Sequence, residues 1–73
     1  MISCMNYKKI DTIVKNSKHQ LLIITEKGQY FTKIPHVSYN EAGIICTLEK
    51  DGTIEIVLYE DIIYVISDGK KYT

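Results

Sequence analysis

The chain has 73 residues, 45% hydrophobic and 25% charged, and its nine Lys are balanced by nine Asp plus Glu to a formal net charge of zero. That composition fits a folded chain rather than a disordered tail. The length allows a single domain (1–73) with a thin core, because a domain of about 60 residues buries only about 60% of the surface its unfolded chain exposes. An enzyme with an interdomain cleft is excluded, and zero net charge removes the overall attraction that a generic nucleic-acid or membrane binder uses.

No Arg accompanies the nine Lys. Arg supplies the rigid fork that reads guanine edges, whereas Lys offers a mobile point charge, so sequence-specific DNA reading is disfavoured. Cys4 and Cys46 are too few for a disulfide scaffold. The chain opens on no charged segment followed by an apolar one, and no apolar run approaches the roughly 20 residues that span a bilayer. A cytoplasmic protein with reduced thiols and no membrane partner is expected.

In chain order, residues 1–5 read as a frayed terminus, and residues 6–15 admit two readings. Helical spacing gathers Tyr7, Ile10, Ile13 and Val14 behind an Asn6 cap, with Asp11 and Lys15 as an i,i+4 pair. Strand spacing instead aligns Ile10, Thr12 and Val14, and the β-branched content weakens an isolated helix. The helix is preferred. Residues 20–26 and 29–34 then form a hairpin through Lys27-Gly28. Pro35 ends the second strand by removing a donor, and residues 35–43 follow as a polar loop.

Residues 43–50 and 53–59 form a second hairpin around Asp51-Gly52, a favoured type I′ dipeptide. Alternation assigns Ile44, Cys46 and Leu48, with Ile54, Ile56 and Leu58, to the core, and turns Ile45, Val57 and Tyr59 outward. Residues 60–62 make a short turn before a closing strand at 63–67, and residues 68–73 are a frayed tail. The fold class is mainly β: a small five-stranded SH3-like or Sm-like barrel, or a curled antiparallel sheet, with one short N-terminal helix. Curling covers the apolar face and removes edges.

The order of Ile10 to Lys15, Leu21 to Thr25, Lys27-Gly28, Ile34-Pro35-His36-Val37, Gly43-Ile44-Ile45-Cys46 and Leu58-Tyr59-Glu60-Asp61-Ile62-Ile63-Tyr64-Val65 resembles the Sm-like barrel of WYL domains and, less closely, of YolD-like proteins. Ile44-Ile45-Cys46 stands where that family has Trp-Tyr-Leu, and Asp61 stands where an Arg usually precedes the Ile. The resemblance implies a fold; the ligand-sensing or nucleic-acid-sensing role of WYL domains depends on the positions that differ.

Chemistry-bearing residues are sparse. Cys4, His19, His36 and Cys46 could form a zinc set, but none lies in a local chelating spacing, so neither a metal nor another cofactor is expected. Cys46 with His36 and Glu41 could form a nucleophile, base and orienting acid, yet an inward Cys46 is a poor thiolate and no catalytic residue is assigned. The expected function is that of a non-catalytic interaction module for a protein partner or a second copy, with Ile45, Val57, Tyr59 and Tyr64 as its surface. A phage or mobile-element accessory or inhibitor protein would suit so short a chain. The alternative is an Sm-like nucleic-acid- or nucleotide-binding regulator, with Lys8, Lys9, Lys18 and Lys33 tracking phosphates and Tyr30 and Tyr39 stacking bases.

Overall fold

The computed structural model describes residues 5–73. Helix α1 (Tyr7–Lys15) starts where the Asn6 side chain accepts from the Lys9 N–H at 2.9 Å. It buries Ile10 and Ile13 completely, and Asp11 pairs with Lys15 at 3.1 Å. Burying two Ile is worth about 1.5–3 kcal/mol each, which outweighs the weak helix propensity of β-branched residues. Met5, placed by sequence in a frayed end, is buried in the core; the remainder of that expectation, and Cys4, lie outside the described residues.

Six strands follow: β1 (Gln20–Thr25), β2 (Gly28–Tyr39), β3 (Gly43–Leu48), β4 (Ile54–Leu58), β5 (Ile62–Ser67) and β6 (Lys70–Tyr72), with a 3₁₀ turn (Tyr59–Asp61) before β5. They form one antiparallel sheet in the order β4-β3-β2-β1-β5-β6. The sheet curls around its core but does not close, so the curled-sheet form of the expectation holds, with six strands rather than five. The core joins Ile10 and Ile13 to Leu21, Ile23, Ile44, Cys46, Leu48, Val57, Tyr59, Ile62 and Val65.

Three local expectations are corrected. β2 does not stop at Pro35: it runs on to Tyr39, and its register with β3 shifts between Thr32 and Val37. Pro35 lies inside that shift, where a missing N–H costs no ladder bond. The Asp51-Gly52 turn is not type I′. Leu48 and Thr53 face one another through a 2.8 Å bond, leaving a four-residue loop at 49–52, with Gly52 at φ +76° and Asp51 outside the positive-φ region.

The type I′ turn is instead at Asp68-Gly69, with φ +48° and +87°, closed by the pair Ser67 and Lys70. The segment read as a frayed tail is therefore a hairpin strand. Asp68 is the reason it holds: its carboxylate accepts from the backbone N–H groups of Lys18 (2.7 Å), His19 (3.1 Å) and Gln20 (3.1 Å). Those donors tie the last turn to the entry of β1 and hold the carboxyl below its usual range.

Candidate interaction edge

The pairing of β3 with β4 decides which side chains are available. Ile44 faces Val57, Cys46 faces Glu55, Ile45 faces Ile56 and Thr47 faces Ile54. Directly opposed residues share a face of the sheet, so Val57 lies with Ile44 in the core while Ile54, Ile56 and Leu58 turn outward beside Ile45. Their exposures are 69%, 66% and 39%, against 4% for Val57 and 7% for Tyr59.

The expected assignment of faces on β4 is thus reversed. Either a two-residue or a four-residue loop pairs even-numbered residues of β3 with odd-numbered residues of β4, so Ile44 and Ile56 could never have shared a face. Loop parity was the available signal. Alternation alone missed it because β4 is apolar on both sides.

Backbone phase follows from the bonds at the two ends of the hairpin. Tyr59 N–H donates to Ala42 O at 3.2 Å and Leu48 N–H to Thr53 O at 2.8 Å. Bonded pairs alternate along an antiparallel ladder, which places them at Ile44–Val57 and Cys46–Glu55. The N–H and C=O groups of Ile54, Ile56 and Leu58 therefore point away from β3, and no strand among the described residues pairs with them. Side chain and backbone N–H are open at the same three residues, and the carbonyl at Ile54 and Ile56; the Leu58 carbonyl caps the 3₁₀ turn that follows.

Beside this edge, the inner side of the curl opens into a cavity of about 240 Å³ lined by Thr25, Lys27, Tyr30, Glu55 and Asp61 along with β4 itself. Asp51, in the loop ahead of β4, accepts from Thr53 N–H at 3.0 Å, and bonding to Thr53 holds its carboxyl below the usual range. Glu60 and Asp61 follow β4 in the 3₁₀ turn. A second, more apolar groove of about 330 Å³ runs between Leu22 and Phe31 of the outer face and residues 48–50.

The four residues expected to form one surface are divided. Val57 and Tyr59 belong to the core, and the Tyr59 hydroxyl donates to Asn40 O at 2.6 Å, with burial raising its pKa to about 12. Ile45 is half-buried on the outer face of β3. Tyr64 is half-buried on β5, two strands beyond β2, with Lys71 Nζ 4.2 Å from its ring centre.

The alternative set does not converge either. Lys8 and Lys9 lie on α1, and Lys9 Nζ donates to Thr73 O; Lys18 sits in the following loop, and Lys33 pairs with Glu49 at 3.4 Å. Tyr30 and Tyr39 pack against the core, on the covered side. The Tyr39 hydroxyl donates to Asp11 at 2.6 Å, which with partial burial pushes its pKa up to about 12, and its ring meets Tyr7 at 5.5 Å.

Cys46 is 1% exposed, and burial, followed by the charge of Glu55, pushes its thiol pKa up. His36 lies 4.0 Å from Glu49 and His19 is exposed. Among the described residues no three His, Cys, Asp or Glu side chains come together to hold a metal, and no helix is long and apolar enough to cross a membrane. In comparisons with known proteins, no family model, curated protein or solved structure matches the chain.

Proposed function

We propose that the protein is a non-catalytic cytoplasmic interaction module that binds an extended protein segment by strand addition along β4. The observation that carries this reading is the coincidence of exposed apolar side chains with outward backbone N–H groups at Ile54, Ile56 and Leu58, joined by outward carbonyls at Ile54 and Ile56. Main-chain bonds to an edge supply affinity in such recognition, and alternate side chains supply selectivity. An exposed apolar edge is otherwise a liability that folded proteins cover or charge.

The test uses a random-peptide display library panned on the wild type, with Ile56→Pro as counter-target. Pro at this position removes an outward N–H and leaves the β3 ladder intact. The reading expects peptides that bind the wild type, lose binding to the Pro variant and protect the outward β4 amides from exchange. Failure to recover peptides, or equal binding to Ile56→Pro, would overturn it.

A further inference from the structure

Resting on that reading of β4, we infer that the segment it accepts is basic and alternating, with apolar residues facing Ile54, Ile56 and Leu58 and Lys or Arg at the positions between. Register and charge together select such a segment. A strand added to β4 continues the pleat, so its residues opposite Ile54, Ile56 and Leu58 lie on their outer face, where apolar side chains cover the three exposed ones. The intervening residues, opposite Glu55 and Val57, turn to the inner side, where Glu55 and Asp61 line the 240 Å³ cavity together with Lys27.

Around the edge as a whole, Asp51, Glu55, Glu60 and Asp61 stand against Lys27 and Lys50. Glu49 is turned away towards Lys33 and His36. An inward ammonium or guanidinium finds carboxylates, with Thr25 and Tyr30 lining the same space, whereas an inward acid adds like charge. The same frame disfavours a second copy. Two β4 strands paired about Ile56 would set the partner strand's acid in the position opposite Val57, at a cavity already lined by two acidic residues.

Two capped heptapeptides test this, one alternating Lys with Ile or Val and the other carrying Glu in place of every Lys. Titrations are followed by amide exchange of β4 at low and at physiological salt. The Lys peptide is expected to protect the amides of Ile54, Ile56 and Leu58 and to bind about tenfold or more tightly than the Glu peptide, the difference shrinking as salt rises. Glu55→Gln combined with Asp61→Asn is expected to bring the two peptides to within about threefold.

Equal protection by both peptides would overturn the charge assignment while leaving strand addition at β4 in place. No protection by either would overturn strand addition itself. Protection of these amides without peptide, in a wild type that light scattering shows to be dimeric, would make a second copy the occupant and also overturn the inference.

Discussion

At one end of the sheet β6 is three residues long and carries Lys70 and Lys71, whose ammonium groups lie over the Tyr72 and Tyr64 rings at 5.1 and 4.2 Å. At the other end β4 is five residues long and turns Ile54, Ile56 and Leu58 to solvent. Short length and Lys are the ordinary means of stopping unwanted pairing, and they are present at β6 and absent along β4. The same small sheet therefore closes one border and leaves the other open. That asymmetry separates a border that ends the fold from one suited to extending it.

Substitutions on the two faces of the β3–β4 pair separate core from edge. Ile44→Ala is expected to cost about 2–5 kcal/mol in urea unfolding, because Ile44 is fully buried. Ile56→Ala, on the directly adjoining strand but 66% exposed, is expected to stay within about 0.5 kcal/mol. A large loss at Ile56 would return that residue to the core and remove the open edge.

Gly43→Ala probes the ladder that holds β4 in place. A Cβ at Gly43 would overlap the Val57 carbonyl and lie 2.9 Å from Leu58 Cα, both backbone atoms with little freedom to move. A loss of about 1–3 kcal/mol is expected, as for other overpacked sites. Next in size, replacing Lys70 and Lys71 by Ile should convert β6 into a second open edge, seen as concentration-dependent association by light scattering. Unchanged monodispersity would show that lysines are not what closes β6.

The smallest expected effect is a pH dependence confined to the β6 end. Asp68 is held below its unfolded value by the backbone donors of Lys18, Gln20 and His19, so it stabilises the hairpin above about pH 4 and loses that effect as acid protonates it through its lower folded value. Amide exchange in β6 should therefore speed up in acid more than exchange in β3. Asp68→Asn should weaken the hairpin at neutral pH and remove most of this acid dependence.

Much of the fold was legible in the sequence, including the α1 helix, both central hairpins and the inward face of β3. Two Asp-Gly dipeptides explain much of what was not. Asp51-Gly52 and Asp68-Gly69 are alike locally, yet only the second takes positive φ at both residues. What separates them is distant: the Asp68 carboxylate is occupied by residues 18–20, almost fifty positions away, whereas Asp51 bonds to Thr53. The register shift around Pro35 was hidden likewise, since a Pro that ends a strand and a Pro inside such a shift read the same. The outward facing of Ile54, Ile56 and Leu58 was hidden for a different reason: apolar residues on both sides of β4 leave its facing to the loop.

Amide exchange along β4 reads the open edge residue by residue. In the free protein, the amides of Glu55 and Val57, bonded to β3, should be protected, while those of Ile54, Ile56 and Leu58 should exchange quickly. Adding the alternating Lys peptide should slow these last three. Outward amides that are already slow in a free monomer, or that stay fast with peptide bound, would contradict the account.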